Sequence, residues 1–115
     1  MSKRSDRELL ADMLECAGRV QGYIKGMAME TYLLDQRTID AVVRNLEIIG
    51  EASNRLSDGA RALAPEIEWF KIIGLRHRIV HDYFNIDEEI VWEIANTELE
   101  ALKLELSALL SRLPN

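Results

Sequence analysis

The chain has 115 residues, of which 48% are hydrophobic and only 6% aromatic, and it contains two prolines and six glycines. This length fits one domain, residues 1–115, and the composition favours helices over a β-sandwich. The formal charge of −6 excludes a protein that coats nucleic acid through bulk positive charge. A single cysteine, Cys16, excludes an internal disulfide, and its apolar helical setting predicts a packed thiol rather than a nucleophile.

The chain also lacks the signals of a membrane or secreted protein. No apolar run approaches the roughly 20 residues that cross a bilayer. Its first residues lead into an amphipathic segment rather than into the apolar core of a signal peptide. We therefore expect a cytoplasmic protein that makes no membrane contact.

The first predicted helix begins at Ser5, because Ser5 and Glu8 have the spacing of a capping box. Glycines recur every four residues on one of its faces, at Gly18, Gly22 and Gly26. Each costs up to ~1 kcal/mol relative to alanine, so we expect another helix to approach this face closely. The apolar residues recur at steps of three and four, typical of a bundle seam: Leu10, Met13, Ala17, Val20, Ile24 and Met27.

The second predicted helix opens near Asp35 and runs to about Leu56. Residues 57–59 (SDG) end it, with Gly59 in the left-handed capping conformation. The longest connection follows, over residues 60–68. Pro65 fits the first turn of the third helix, which ends at residues 83–85.

The fourth predicted helix begins at residues 85–87, with acidic residues in its first turn, where the helix dipole favours them. No strand signal and no internal repeat is present in the sequence. The pattern therefore predicts an all-α, up-down bundle of four helices. The last helix has a heptad seam of Ala95, Leu99, Leu102, Leu106, Leu109 and Leu113.

The third helix carries Arg76, His81 and Tyr83 within residues 76–83 (RHRIVHDY). Arg76 lies in the middle of an apolar stripe. A guanidinium in an apolar seam is costly unless it pairs with an anion or faces a wet cleft. The segment is therefore either a structural ion-pair site or an active site at an interface. The stripe consists of Trp69, Ile72, Ile73, Ile79 and Val80.

This constellation suits phosphodiester chemistry. Histidine gains and loses protons near neutral pH, and arginine binds phosphate, bidentately where geometry allows. Cleavage of a phosphodiester without a metal needs a proton-transfer group and a cation where negative charge builds. Five residues of ideal helix separate Arg76 and His81 by about 140° around the axis. They converge on one substrate only if the helix distorts near its end or a symmetry mate supplies the second set.

Two other interpretations of the third helix stay open. His77 and His81 are four residues apart, a zinc-ligand spacing, although an arginine stands where the signature glutamate is expected. Alternatively, Arg76 pairs with Glu47 or Glu51 of the second helix only to set the register of the two helices. In that case the histidine near the helix C-terminus simply favours the dipole.

The pattern Arg76-x4-His81-x-Tyr83 resembles the signature of the HEPN domains, in particular the HepT-like toxins of bacterial toxin–antitoxin pairs. The resemblance extends over about residues 39–95. It rests on several segments that occur in the same order along the chain rather than on one short string. One residue departs from the pattern, because His77 follows the arginine where asparagine is common. The further segments that carry the resemblance are residues 45–52 (NLEIIGEA), 65–69 (PEIEW), Tyr83-Phe84, Asp87 and Val91-Trp92.

This resemblance implies a HEPN-like bundle of four or five helices that dimerises through its motif-bearing helices. Two copies of the motif would then face one cleft on the twofold axis. Arg76 would stabilise the scissile phosphate of an RNA substrate, and His81 would transfer a proton at a ribose 2′-hydroxyl. The scheme needs no metal and no other cofactor.

The resemblance also implies a partner. The cognate antitoxin of such toxins is similar to a minimal, MntA-like nucleotidyltransferase, a separate chain that transfers AMP from ATP to the motif tyrosine, here Tyr83. The added phosphate would repel RNA and block the cleft. Asn45 and Glu51 are supporting candidates, expected in helix–helix hydrogen bonds or in pairing with Arg76 rather than in direct chemistry. His77 is a further supporting candidate.

The leading hypothesis is therefore a homodimeric toxin, a metal-independent endoribonuclease that a nucleotidyltransferase neutralises. The alternative is a non-catalytic helical protein that serves as binding partner and substrate of that transferase, which the acidic charge and His77 favour. A plain helical scaffold is a third hypothesis, in which alanine at Arg76 and His81 alters only stability.

Overall fold

The computed structural model describes residues 4–81 and 87–114, with their side chains except those of Arg76 and residues 78–81. This part of the chain contains seven α-helices, one π-helical turn and no strand, so the predicted all-α class is confirmed. The elements in chain order are α1 (Asp6–Ile24), α2 (Met29–Leu33), α3 (Gln36–Arg55), α4 (Asp58–Ala62), α5 (Trp69–His81), α6 (Glu88–Glu93), the π-helical turn (Ile94–Glu98) and α7 (Leu99–Arg112).

The four predicted helices correspond to α1, α3, α5 and the run from α6 to α7. The α3 helix packs against both α1 and α5, and α7 packs back against α1. The remaining helices, α2 and α4, have five residues each and occupy the connections. None of the described helices is both long and apolar enough to span a membrane.

The predicted apolar seams form one hydrophobic core. Met27, Leu102 and Leu113 are only half-buried at its edge. Cys16 is buried, and burial raises the pKa of its thiol, in agreement with the predicted packed cysteine. The fully buried seam residues of the first and last helices are Leu10, Met13, Ala17, Val20, Ile24, Ala95, Leu99, Leu106 and Leu109.

The predicted capping box begins α1. Oγ of Ser5 accepts a hydrogen bond from the backbone N–H of Glu8 at 3.1 Å. In return, Oε1 of Glu8 accepts one from the backbone N–H of Ser5 at 3.0 Å. Two of the otherwise unpaired N-terminal donors of the helix are therefore satisfied.

The boundaries that follow α3 differ from the prediction. Gly59 does not end α3 in a left-handed conformation: it lies inside α4, and Gly26 is the one described glycine with positive φ. Oγ of Ser57 instead accepts a hydrogen bond from the N–H of Ala60 at 3.1 Å, so the SDG string starts a helix. Pro65 precedes α5 rather than lying in its first turn, because α5 begins at Trp69.

The expected helix contact on the glycine face of α1 is wrong. In the described part of the chain, no atom of another helix lies within 4 Å of the position that a Cβ would take at Gly18, Gly22 or Gly26. The neighbouring helices pack instead on the opposite, leucine- and methionine-bearing face, where contact buries far more apolar surface.

The α4 helix is bonded to both α1 and α3. The carboxylate of Asp6 accepts hydrogen bonds from the backbone N–H and the Oγ of Ser57, at 2.9 and 2.6 Å. Arg61 donates from Nη1 to the carbonyl oxygen of Ser53 at 3.1 Å and from Nη2 to Asp58 at 2.7 Å. These bonds fix the position of the segment from which α5 begins.

Ser57→Ala removes both the N-cap of α4 and one bond to Asp6. We expect the free energy of unfolding to fall by about 1–2 kcal/mol, measured by urea denaturation. Ser107→Ala on the exposed face of α7 is the matched control and should change it by less than about 0.5 kcal/mol. Equal effects of the two substitutions would contradict the capping role.

Candidate active site on the α5 helix

The α5 helix places Arg76, His77 and His81 on one regular helix of 13 residues. Arg76 and His81 are described here as helix positions only, and Tyr83 lies outside the described residues. The α-helical backbone continues without a break to His81, so the positions of Arg76 and His81 differ by about 140° around the axis. Their catalytic roles stay predictions.

Trp69 fixes the first turn of α5. Its side chain is buried, and its indole N–H is shared between the carbonyl oxygens of Arg61 at 3.3 Å and Ala64 at 3.2 Å. A buried indole N–H usually finds such a partner, and here the partners belong to the preceding segment. Trp69 therefore fixes the rotation of α5 about its own axis at the first turn of the helix.

The two sides of α5 have different surroundings. Ile72 and Leu75 are partly buried and pack against the core, as the apolar stripe predicts for this side. Phe70 and His77 are exposed on the other side, and Gly74 between them is half-buried. The helix thus carries an inner face on α3 and an outer face open to solvent.

Among the α3 candidates, Asn45 is 5% exposed and donates from Nδ2 to the carbonyl oxygen of Ala41 at 2.8 Å. This bond lies within α3. Among the described residues, Asn45 therefore makes none of the expected helix–helix hydrogen bonds. Oδ1 of Asn45 is buried and accepts no hydrogen bond from the described part of the chain. Glu51 is half-buried, and Glu47 forms an ion pair with Arg44 of its own helix at 2.9 Å.

A second polar group, absent from the predictions, joins α2 to the start of α6. Tyr32 of α2 is fully buried, its ring centroid is 5.1 Å from that of Trp92, and its hydroxyl donates to Oε1 of Glu88 at 3.5 Å. Burial raises the pKa of Glu88, the bond from Tyr32 opposes the rise, and the charges of Asp40 and Asp87 add to it. Burial also raises the pKa of Tyr32.

These contacts position the start of α6. The Asp87 carboxylate accepts hydrogen bonds from the backbone N–H groups of Glu89 and Ile90, at 3.0 and 3.4 Å, and caps the helix. The acidic first turn predicted for the fourth helix is therefore present. Buried tryptophans thus lie at the first residue of α5, Trp69, and within α6, Trp92.

A family model described as "Ribonuclease HepT-like" matches residues 13–109 of this chain. The chain belongs to the HepT-like ribonuclease family. It is similar to "Probable ribonuclease HepT" of Thermococcus cleftensis, with 34% identity over 101 residues, 88% of this chain and 92% of the relative. It is also similar to "Putative RNase MJ1380" of Methanocaldococcus jannaschii, with 35% identity over 106 residues, 92% of this chain and 97% of the relative. No solved structure matches it.

Membership of this family confirms the predicted resemblance. The matched region of this HepT-like chain includes α3, α5 and α6, which carry or flank all the predicted site residues. Within residues 4–81 and 87–114, no group of three or more His, Cys, Asp and Glu side chains is arranged to hold a metal ion.

A polar cleft of about 280 Å³ between α1 and α3 was not predicted. Its cations are largely neutralised: Arg4 pairs with Asp12 at 2.6 Å, and Arg44 pairs with Glu47. This balance makes the cleft a weak anion site. It is lined by Arg4, Leu9, Asp12, Arg44, Glu47, Ile48, Glu51, Ala52 and Arg55.

Of the two unpredicted aromatic residues, Phe70 had a detectable signal in the sequence and Tyr32 had none. Phe70 follows Trp69 by one residue and therefore lies about 100° away from the apolar stripe, a position that predicts exposure. Tyr32 lies in a short segment without helical periodicity, and no pattern in the sequence connects it with Glu88. Only the packing of α2 against α6 brings them together.

Glu88→Gln tests the buried carboxylate, because glutamine keeps an acceptor for Tyr32 but cannot ionise. The folded-state pKa of Glu88 is raised, so above about pH 4 the unfolded chain loses this proton more readily than the folded one. Glu88 therefore contributes stability at low pH that is lost as the pH rises through its folded-state pKa. We expect the variant to gain stability over wild type progressively with pH, measured by urea denaturation across this range. Glu89→Gln, an exposed carboxylate one residue along, is the control, and an identical pH trend there would contradict the assignment.

Proposed function

We propose that this HepT-like chain is a metal-independent endoribonuclease that uses Arg76 and His81, acts as a homodimer, and is the toxin of a toxin–antitoxin pair. One observation carries the proposal. The family match to ribonucleases includes α5, a helix on which an arginine and a histidine stand five residues apart with no carboxylate in its 13 residues. A carboxylate-free helix suits a polyanionic substrate on a chain of charge −6.

The chemistry requires proton removal from a ribose 2′-hydroxyl, proton uptake by the leaving 5′-oxygen, and stabilisation of the negative charge that develops on the phosphate. His81 takes the proton of a ribose 2′-hydroxyl, and the oxygen attacks the adjacent phosphorus. The bond to the 5′-oxygen breaks and that oxygen takes up a proton, which leaves a 2′,3′-cyclic phosphate and a 5′-hydroxyl. Arg76 binds the phosphate and stabilises the charge that develops on it.

The helix geometry supports the proposed homodimer. A regular helix separates Arg76 and His81 by about 140°, which hinders both from reaching one phosphate within a subunit. A second copy related by a twofold axis supplies the missing group, because an isologous interface presents the same helix twice. This arrangement places the two motif-bearing helices on either side of one cleft.

A separate nucleotidyltransferase would neutralise the toxin at Tyr83. The phenol oxygen attacks the α-phosphorus of ATP, the phenol loses its proton, and pyrophosphate leaves. The resulting AMP group adds negative charge and bulk beside the proposed RNA site, which repels the substrate.

Arg76→Ala and His81→Ala test the ribonuclease directly. We expect each to lower the cleavage rate of single-stranded RNA by ~10²–10⁴-fold, with the fold unchanged by circular dichroism. The matched control is Arg19→Ala, an exposed arginine on α1, which we expect to retain most of the activity. Wild-type protein that leaves RNA intact in the presence of a chelator would sink the proposal.

The acidic charge and His77 favour a second function, a non-catalytic partner that is only the substrate of the transferase. Intact mass after co-expression with a small nucleotidyltransferase separates the two. Both hypotheses predict AMP units that disappear in Tyr83→Phe and persist in Tyr23→Phe, a control tyrosine on α1. The ribonuclease also predicts RNA cleavage by the unmodified form. AMP on wild type without any cleavage selects the second function, and AMP that survives in Tyr83→Phe contradicts the acceptor assignment in both.

A further inference from the structure

Phe70 is a large aromatic side chain on the motif-bearing helix that the bundle does not cover. It is 74% exposed, whereas the adjacent Trp69 is buried. A singly exposed apolar side chain is ordinary on a protein surface, but Phe70 lies on the motif-bearing helix and borders a groove, which makes it a candidate contact for a ligand.

Phe70 lies on the same face of α5 as the motif histidine. Phe70, Gly74, His77 and the helix position of His81 are separated by steps of four, three and four, which align on one side of an α-helix. Nothing lies within 4 Å of the position of a Cβ at Gly74, and His77 is exposed, so this strip is open. It extends about 16 Å from Phe70 to the position of His81.

A groove of about 530 Å³ opens beside Phe70, between α4 and the start of α5. The volume of the groove and its apolar lining residues suit a planar ring. The carboxylates on its rim are paired, Asp58 with Arg61 at 2.7 Å and Glu68 with Lys71 at 2.8 Å, so they oppose an anion weakly. The groove is lined by Asp58, Arg61, Ala62, Pro65, Ile67, Glu68, Trp69 and Phe70.

The charge of α5 indicates what the strip binds. The helix has no acidic residue and carries Arg76, Arg78 and Lys71, of which Lys71 is paired with Glu68, although the whole chain has a charge of −6. Cations that flank an exposed aromatic ring are the combination by which proteins hold single-stranded nucleic acid, with the backbone on the charges and the bases on the rings.

We infer that Phe70 and its groove form a base-stacking subsite for single-stranded RNA, separate from the residues that cleave it. The inference rests on the proposed ribonuclease function and names a specificity site for it. A base of the substrate stacks on Phe70 while the strand follows the open strip of α5 toward His81. The subsite favours unpaired RNA, because a base inside a duplex has no free face to offer.

The test measures binding separately from cleavage. A fluorescently labelled, fully 2′-O-methylated single-stranded oligonucleotide cannot undergo attack by a 2′-hydroxyl, and its anisotropy reports the Kd. We expect Phe70→Ala to weaken binding by about 5- to 150-fold, the loss of one stacked base, and Phe70→Trp to restore it. Phe70→Leu, which keeps apolar bulk but no ring, should bind as weakly as Phe70→Ala. Tyr23→Ala, an aromatic truncation on α1, should bind as wild type does.

Several outcomes would overturn the subsite. Equal binding by wild type and Phe70→Ala, or full rescue by Phe70→Leu, would show that no ring stacks there. Dissociation of the oligomer in Phe70→Ala, seen by light scattering and reversed in Phe70→Leu, would assign the residue to a contact between copies of the chain. Cleavage of unmodified RNA is scored independently. Ring-dependent binding without cleavage supports the subsite and contradicts the ribonuclease function. Cleavage with ring-independent binding supports the ribonuclease function and contradicts the subsite.

Discussion

The hydrogen bonds of the Trp69 indole are the contact on which the geometry of the site depends. One N–H shared by the carbonyls of Arg61 and Ala64 joins the end of α4 to the first turn of α5. An α-helix turns by about 100° per residue, so fixing its start fixes the direction of every later side chain. The α4 segment is in turn held by Ser57 to α1 and by Arg61 to α3. The helix positions of Arg76 and His81 therefore depend on contacts at the opposite end of α5.

Charge is segregated along the chain in a way that limits how a polyanion could approach. The α5 helix has no carboxylate, whereas α6 has Glu88 and Glu89 in its first turn. Screening confines each of these fields to about 8–10 Å at physiological salt. A carboxylate-free helix followed by an acidic one accommodates one strand more readily than a wide duplex, which agrees with a proposed substrate of unpaired RNA.

Sequence patterns predicted the elements that rest on local contacts. The capping box of Ser5 and Glu8 and the seam of Leu99, Leu106 and Leu109 depend on residues three and four apart, so a linear pattern is sufficient. The prediction for Gly59 failed because a Ser-Asp-Gly string can either end one helix or cap the next. The choice depends on the contact between Ser57 and Asp6. The prediction for Gly18 and Gly22 failed because small residues permit a close helix approach but do not cause one.

The sequence by itself determined that the chain is helical, where its long helices run, and in which order the arginine, histidine and tyrosine occur. These properties follow from periodicity, capping and residue order, which are local. Only the tertiary structure decided that Trp69 is buried while Phe70 is exposed, that Asn45 bonds within its own helix, and that Tyr32 meets Glu88. Periodicity gives the angle of a side chain around its helix, but which neighbouring element covers that angle depends on contacts between residues far apart in the chain.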